Sequence, residues 1–280
     1  MQIIRTSDAL RVFLTKESLN GAKVGFVPTM GALHDGHMAL MLRSVAENKV
    51  TVLSIFVNPT QFNNAEDLIK YPRQEAADVA MAQRTGVDAV FLPSVEEMYP
   101  PTEPAALHFV SSLFDVFEGK HRPGHFAGVV TIVRKLFALI GPCSAYFGEK
   151  DFQQLAVVRA LVATEALPVR VVPCATVRTP EGLAMSSRNS RLSANGLHQA
   201  LGIFRAMSQV VQIVRAGNCT DESLGQISEE LRDEGFDVEY FSLINPTDFT
   251  EIAPTDALPG HRIIAAAWLE GVRLIDNMEV

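Results

Sequence analysis

Short apolar runs alternate with segments of helical apolar spacing along the first 175 residues of the chain. Runs rich in β-branched and aromatic residues predict strands at 23–27, 50–57, 88–92, 107–110, 144–147 and 169–174. Apolar residues at three- and four-residue spacing predict helices at 7–14, 38–48, 73–85, 129–140 and 152–163. Strands that alternate with helices indicate an α/β fold with a doubly wound, mostly parallel sheet.

The pattern changes after residue 175. Two helices are predicted at 194–216 and 221–234, and strands at 238–243, 262–269 and 272–275 follow them. The segment Leu269-Glu270-Gly271-Val272 between the last two strands is typical of a hairpin turn. Helices followed by several strands indicate a smaller α+β domain. We therefore predict two domains, residues 1–175 and residues 176–280.

Three polar turns, at 28–37, 58–62 and 148–151, each follow a predicted strand of the first domain. In open parallel sheets, ligands bind beyond the carboxyl ends of the strands. We therefore expect the three turns to converge on one site.

The first of these turns, PTMGALHDGH, joins a buried strand to a helix. Such a junction presents backbone N–H groups to an anion, and glycines at 31 and 36 allow a close approach to the backbone. His34 and His37 could instead be zinc ligands or unrelated surface residues. The His-x-x-His spacing is one residue short of a zinc-binding helix and no third ligand lies nearby in sequence, so we favour contact with a phosphate.

Other segments carry weaker signals, each with a structural alternative. Lys150 can contact a phosphate and Asp151 a ribose hydroxyl, or both can be solvated charges at a helix start. The loop 184–189 offers two serine hydroxyls and Arg188, which suit a phosphate, but it can equally be a serine-rich turn. The segment 122–126 covers a site or, as Pro-Gly favours, forms a structural turn. Gln61 and Gln154 have amides that suit a hydroxy-acid substrate.

Composition excludes several classes of protein. Of the 280 residues, 48% are hydrophobic and 20% charged, which predicts a packed globular core. A net charge of −8 argues against a dedicated nucleic-acid binder. The chain shows neither a signal-peptide pattern at its start nor a membrane-spanning apolar run, and three scattered cysteines fit a reducing compartment. We therefore predict a cytoplasmic protein with no membrane partner.

Eight motifs, in order along nearly the whole chain, resemble those of the pantothenate synthetase (pantoate–β-alanine ligase) family. They are PTMGALHDGH (28–37), FVNPTQF (56–62), YPR (71–73), MYP (98–100), RPGHFAGV (122–129), FGEKDFQQL (147–155), GLAMSSRN (182–189) and RLIDN (273–277). The segment 34–37 also resembles the His-x-Gly-His signature of class I nucleotidyltransferases and synthetases. Residues 185–188 resemble their second phosphate-binding loop. Thr60 departs from the family pattern, in which this position is commonly a bulkier methionine.

The resemblance implies a Rossmann-like ATP- and pantoate-binding domain and a smaller domain that closes over the site, usually in a homodimer. It implies a ligase that forms an amide bond between (R)-pantoate and β-alanine. Pantoate first attacks the α-phosphorus of ATP, giving a pantoyl adenylate and pyrophosphate. The amine of β-alanine then displaces AMP, with Mg²⁺ assisting at the phosphates.

Site residues are carried over by motif. The implied ATP-binding residues are Met30, Gly31, Ala32, Leu33, His34, Asp35, Gly36, His37, Gly148, Glu149, Lys150, Asp151, Val177, Met185, Ser186, Ser187 and Arg188. The catalytic residues among them are His34, His37, Lys150, Ser186, Ser187 and Arg188. Gln61 would contact pantoate and β-alanine, and Gln154 would contact pantoate. No protein ligand for a metal is implied, since phosphates and water can hold Mg²⁺.

Two alternative functions also fit these residues. Another nucleotidyltransferase of the same superfamily would keep the ATP loops and use a different acceptor. A nucleotide-binding module without catalytic activity would bind ATP and release no pyrophosphate. A class I aminoacyl-tRNA synthetase is disfavoured, because an acidic chain of this length leaves little room for a tRNA-binding domain.

Overall fold

A computed structural model describes residues 1–19, 21, 23–101, 109 and 111–280. The strand predicted at 107–110 therefore lies outside the described residues, apart from Phe109. Two compact units are present. One comprises Met1–Glu149 and Gln153–Ala175, and the other comprises Lys150–Phe152 and Thr176–Val280. Residues 150–152, which the sequence analysis placed in the first domain, thus belong with the second unit.

A six-stranded parallel sheet forms the centre of the first unit. Its strands are β1 (Gln2–Ile4), β2 (Val24–Thr29), β3 (Val50–Ile55), β4 (Ala89–Phe91), β5 (Cys143–Gly148) and β6 (Val169–Cys174). The order is β1-β4-β3-β2-β5-β6 and every pair is parallel. The predicted α/β class and mostly parallel sheet are confirmed. Because β2 lies between β3 and β5, the turns after these three strands begin at adjacent positions on one sheet edge.

Helices flank this sheet. They are α1 (Ser7–Leu19), α2 (Asp35–Glu47), α3 (Ala65–Lys70), α4 (Glu75–Thr85), α5 (Val95–Met98), α6 (Phe117–His121), α7 (His125–Ile140) and α8 (Phe152–Thr164). The central strands are apolar on both faces because helices cover both sides of a parallel sheet. Phe26 and Leu53 of these strands are fully buried, as is Met41 of α2.

A three-stranded antiparallel sheet and three helices form most of the second unit. The elements are α9 (Ala194–Gln199), α10 (Leu201–Arg215), α11 (Asp221–Asp233), β7 (Asp237–Ile244), β8 (Arg262–Leu269) and β9 (Val272–Glu279). Alternate residues of β8, such as Ile263 and Ala265, share a core with Met207 and Val210 of α10. Glu270 and Gly271 have φ values of 50° and 71°, which suit the predicted tight hairpin between β8 and β9.

The prediction of one continuous helix at 194–216 is wrong, because the helix is interrupted at Ala200, between α9 and α10. The N–H of Ala200 contacts the carbonyls of both Gly196 and His198. The strand predicted at 272–275 is longer, since β9 pairs with β8 from Val272 to Glu279. Among the described helices, none combines the length and the apolarity that a membrane crossing requires.

Candidate active site

The turn between β2 and α2 is held by hydrogen bonds to the buried carboxylate of Asp78. The backbone N–H groups of Ala32 and Leu33 donate to Asp78 Oδ2 and Oδ1 at 2.9 and 2.8 Å. Gly31 and Ala32 have φ values of 82° and 50°, and a Cβ on Gly31 would lie 2.9 Å from Asp78 Oδ2. Two N–H groups that the sequence analysis offered to an anion therefore already have a protein acceptor.

Asp78 is a residue that the sequence analysis missed. It lies on α4, is 2% exposed, and burial raises the pKa of its carboxyl group against the effect of its two backbone hydrogen bonds. One signal was present in the sequence. Asp78, Ala82 and Thr85 share the helical spacing of the buried face, where a lone carboxylate requires a partner.

His34 and His37 lie at the first turn of α2, and their ring centroids are 4.1 Å apart. His34 is the N-cap: its Nδ1 accepts the N–H of Gly36 at 3.1 Å, and His37 Nδ1 accepts the N–H of His34 at 3.3 Å. A ring nitrogen that accepts an N–H carries no proton. Each ring in its neutral form therefore has its proton on Nε2, where it can donate to a phosphate oxygen.

The turn after β3 meets the turn after β2. Gln61 lies in a short 3₁₀ segment, is 7% exposed, and its Nε2 lies 2.7 Å from Met30 Sδ. Its Oε1 accepts from Asn58 Nδ2 at 3.1 Å, and Asn58 Oδ1 in turn accepts from the hydroxyl of Tyr99 at 2.7 Å. The structure thus brings together Met30, predicted for ATP, and Gln61, predicted for pantoate.

His125 connects the segment 122–126 to the same turn. Its ring is buried, and its Nδ1 lies 2.8 Å from the carbonyl oxygen of Gln61. A carbonyl oxygen can only accept, so Nδ1 carries the proton, and Nε2 can accept from Arg122 at 3.1 Å. Arg122 also pairs with Glu118 at 3.4 Å. Pro-Gly predicted a structural turn here, and the structure adds this direct hydrogen bond to Gln61.

We expect Gly128→Ala to displace the Gln61 segment. Gly128 lies on α7, and a Cβ there would approach the carbonyl oxygen of Thr60 at 2.3 Å and Gln61 Cα at 2.6 Å. Relieving these contacts requires a shift of the backbone, so we expect a loss of about 1–3 kcal/mol in the free energy of unfolding. We also expect a higher KM for pantoate and β-alanine, the substrates that Gln61 is predicted to contact.

Denaturant unfolding and steady-state kinetics of Gly128→Ala test this. The matched control is Gly225→Ala on α11, where a Cβ meets nothing within 4 Å. The control should be neutral or slightly stabilising, because alanine is the better helix former. Unchanged stability and KM in Gly128→Ala would contradict the proposed contact.

The two glutamines of the FGEKDFQQL motif differ in their surroundings. Gln153 is buried and structural: its Nε2 donates to the carbonyls of Leu113 and Val116 at 2.7 and 3.0 Å. The side chain of Gln154 is partly exposed, and within the described residues it makes no side-chain hydrogen bond. Among the described residues, the predicted pantoate residue is therefore the glutamine whose amide makes no hydrogen bond to the protein. Gly148 and Glu149 lie at the end of β5 and the start of the next turn.

The second unit brings Lys150 and Ser186 together. Both line an open pocket with an empty volume of about 340 Å³, together with Asn189, Phe204 and Asp276. The side chain of Lys150 is 17% exposed, and its Nζ lies 3.7 Å from Asp151 Oδ1. A cation and a hydroxyl on one pocket wall suit a phosphate or a polyol.

The loop that carries Met185, Ser187 and Arg188 ends a small hairpin. The N–H of Met185 donates to the carbonyl of Val177 at 2.9 Å, and Arg178 pairs with Ala184 in an antiparallel bridge. Ser186 then caps the 3₁₀ segment Ser187–Arg191 by accepting the N–H of Arg188 at 3.3 Å. Val177 and Met185, both predicted for ATP, are thereby neighbours.

Among the described residues, no three His, Cys, Asp or Glu side chains are grouped as metal ligands. The zinc interpretation of His34 and His37 thus gains no third ligand within that part of the chain.

A family model described as pantoate-beta-alanine ligase matches residues 2–279. The chain belongs to the pantoate–β-alanine ligase family. Pantothenate synthetase of Cereibacter sphaeroides is 46% identical over 279 residues, which cover 99% of each chain. As the family name states, its members are ligases that join pantoate to β-alanine, and the bond between a carboxylic acid and an amine is an amide.

Solved structures agree with this assignment. Pantothenate synthetase from Thermus thermophilus has a TM-score of 0.93 and 42% identity, and the match covers 100% of this chain and 99% of that one. The pantoate–β-alanine ligase from Francisella tularensis, complexed with β,γ-ATP and β-alanine, has a TM-score of 0.84 and 34% identity, covering 100% and 97%. The fold predicted from the family is confirmed.

Proposed function

We propose that this chain condenses (R)-pantoate with β-alanine to form pantothenate, through a pantoyl adenylate and with ATP as co-substrate. The observation that carries the proposal is the end-to-end similarity to pantothenate synthetases, one of which is complexed with an ATP compound and β-alanine. A direct condensation of a carboxylate with an amine lacks a good leaving group, and adenylation supplies one. The residues predicted for each ligand provide the chemistry of each step.

In the first step, a carboxylate oxygen of pantoate attacks the α-phosphorus of ATP, and the bond to pyrophosphate breaks. Negative charge then develops on the phosphate oxygens. We propose that the Nε2–H groups of His34 and His37 donate to these oxygens, with Lys150 and the segment 186–188 adding further donors. Met30–Asp35, Gly36, Gly148–Asp151, Val177 and Met185 would complete the ATP contacts.

Gln61 and Gln154 would hold pantoate through their amides, since an amide can donate to a carboxylate and accept from a hydroxyl. In the second step, the neutral amine of β-alanine attacks the acyl carbon. The acyl–oxygen bond to AMP breaks, the amide forms and the nitrogen loses a proton. Gln61 would also border the β-alanine. A site that excludes water protects the mixed anhydride from hydrolysis.

Mg²⁺ would accompany the nucleotide and neutralise part of the phosphate charge. We propose that the ion needs no protein cage in this site. Such sites hold Mg²⁺ largely through phosphates and water.

Assembly and location are further parts of the proposal. We propose a cytoplasmic homodimer that acts on small molecules and on neither nucleic acid nor membranes. We also propose that residues 1–175 bind ATP and pantoate and that residues 176–280 close over the bound nucleotide during the reaction. Light scattering of the purified chain tests the dimer.

A coupled assay with ATP, pantoate and β-alanine tests the reaction. We expect AMP formation that depends on both pantoate and β-alanine. We expect pyrophosphate release when ATP and pantoate are present without β-alanine. AMP formation with a different acid would favour another nucleotidyltransferase. ATP binding without pyrophosphate release would favour a non-catalytic module.

We expect Gln154→Ala to weaken pantoate binding more than ATP binding. The side chain is partly exposed and makes no hydrogen bond within the described residues, so its loss leaves the fold intact. Loss of an amide contact to a charged ligand should raise the KM for pantoate about 10-fold. Steady-state kinetics with each substrate varied measure this, and Gln83→Ala, an exposed position on α4, is the control. Equal effects on pantoate and ATP would contradict the assignment.

A further inference from the structure

The RLIDN motif, residues 273–277, has no role in the proposed reaction, although it ends in two buried polar side chains. Asp276 is 6% exposed and Asn277 is 4% exposed, both on β9. Buried polar groups require partners, and the partners of these two are specific.

Asn277 holds the main chain of Lys150. Its Nδ2 donates to the carbonyl oxygen of Lys150 at 2.9 Å, and its Oδ1 accepts from Arg262 Nη1. The guanidinium can only donate and the carbonyl can only accept, so the orientation of the amide is unambiguous. Lys150 and Asn277 are 127 residues apart in sequence, and both belong to the second unit.

Phe152 fixes the same short segment at a second point. The guanidinium of Arg262 lies 4.1 Å from the centroid of the Phe152 ring, which also packs against Phe249 at 5.6 Å. Arg262 therefore contacts both Asn277 and Phe152. With the carbonyl of residue 150 and the ring of residue 152 both anchored, the direction in which the side chain of Lys150 leaves the backbone is restricted.

Asp276 holds the other polar segment of the pocket. Its two oxygens pair with Arg178 Nη1 and Nη2 at 2.5 and 2.8 Å. Arg178 also donates to the carbonyl of Gly182 at 3.1 Å and lies over the ring of Phe204 at 5.0 Å. It thereby fixes the hairpin that leads into Met185 and Ser186.

Adjacent strand residues point to opposite sides of a strand, so this dipeptide can hold two different segments at once. We propose that Asp276 and Asn277 are positioning residues. They hold Lys150 and the loop 184–189, which carries Ser186, in the geometry that ATP requires. Asn277 acts through Lys150, and Asp276 acts through Arg178. The inference rests on the proposed role of Lys150 in ATP-dependent adenylation.

The test variant is Asn277→Asp, which keeps the size of the side chain and its pairing with Arg262. It places an oxygen against the carbonyl of Lys150 and so removes that hydrogen bond. We expect kcat/KM for ATP in pantoate-dependent pyrophosphate release to fall about 10-fold or more, because small displacements of a catalytic group have large kinetic effects. The KM for β-alanine should not change.

A double-mutant cycle with Lys150→Ala separates positioning from general damage. If Asn277 acts through Lys150, Asn277→Asp should lower the rate of the Lys150→Ala enzyme by less than about twofold. Asn277→Ala, which also lacks the donor, provides the same comparison if the aspartate variant does not fold.

Glu239→Gln is the matched control on the same sheet. Glu239 accepts from Trp268 Nε1 at 2.6 Å and from Arg273 Nε at 2.9 Å in a partly buried network, and neither donor takes part in the hydrogen bonds described above for Lys150 and Arg178. We expect it to lower the melting temperature and to leave kcat/KM for ATP unchanged.

Two results would overturn the inference. One is an equal fall in kcat/KM for ATP in the presence and absence of the Lys150 side chain, and the other is no fall in kcat/KM for ATP in the Asn277 variants. A failure of the proposed function is distinguishable, since the wild-type chain itself would then release no pyrophosphate with pantoate.

Discussion

His37→Ala is expected to lower the rate of adenylate formation by about 10²- to 10³-fold, the usual cost of losing one donor to developing oxyanion charge. His37 Nδ1 accepts a backbone N–H, which leaves Nε2–H as the donor of the neutral ring. Alanine removes this donor. It also removes one capping interaction at α2, for which we expect a loss of about 1 kcal/mol in the free energy of unfolding.

Pantoate-dependent pyrophosphate release, measured well below the melting temperature, separates the two effects. His198→Ala, at an exposed position on α9, is the control and should keep wild-type turnover and stability. Near-normal turnover in His37→Ala would remove this residue from the mechanism. A loss of turnover that follows the loss of folded protein would make its role structural.

Replacement of Asp78 is the second change with a large expected effect. Asp78→Ala removes the carboxylate that accepts from the buried N–H groups of Ala32 and Leu33, at a cost of about 1–3 kcal/mol for each hydrogen bond lost. It also releases the turn that presents His34. We therefore expect a marked loss of stability together with a fall in kcat/KM for ATP of about 10²-fold, as expected when a site shifts by about 1 Å.

Asp78→Asn provides the sharper comparison because it keeps the shape of the side chain. One amide oxygen can still accept, but the NH₂ group faces an N–H donor, so one hydrogen bond is lost. The amide also avoids the cost of burying a charge. We expect Asp78→Asn to be more stable than Asp78→Ala at neutral pH and to share its loss of activity.

The pH dependence of stability follows from the pKa of Asp78, which burial raises above its ordinary value of 3.8. The folded state then holds the proton more tightly than the unfolded state. The stability due to the neutral carboxyl is complete below pH 3.8 and is lost as the pH rises through the folded pKa. The stability of wild type relative to Asp78→Asn should therefore decrease from acid to neutral pH.

Urea unfolding of both proteins between about pH 3 and pH 7 measures this difference. A difference that increases toward neutral pH would show that the two backbone hydrogen bonds outweigh the burial of the charge. Activity assays of the two proteins over the same pH range then report the role of Asp78 in holding the turn.

Much of the fold was predictable from local patterns. The strands at β2, β3, β5 and β6 and most of the helices lie where apolar spacing placed them, because burial on one or both faces leaves a periodic trace in the sequence. The Glu270-Gly271 pair also predicted the hairpin between β8 and β9, because the geometry of a tight turn depends on the residues within it. The break at Ala200 was missed because alanine is a good helix former and gives no sequence signal of a break, and Ala200 keeps helical dihedral angles in the structure.

The candidate site was predictable only in part. The motifs placed His34, His37, Gln61 and Lys150 after strands, and parallel pairing brings the ends of β2, β3 and β5 to one sheet edge. No local signal showed which hydrogen-bond acceptor or donor would support each residue.

By itself, the sequence determined the α/β class, the succession of elements, the polar turns and the family. Only the tertiary structure decided that Asp78 supports a turn 46 residues away and that Asn277 holds Lys150 across 127 residues. The physical reason is that periodicity reports whether a position is buried. The identity of the partner depends on how distant segments pack, and a buried polar side chain is satisfied by whichever complementary group that packing brings within hydrogen-bond distance.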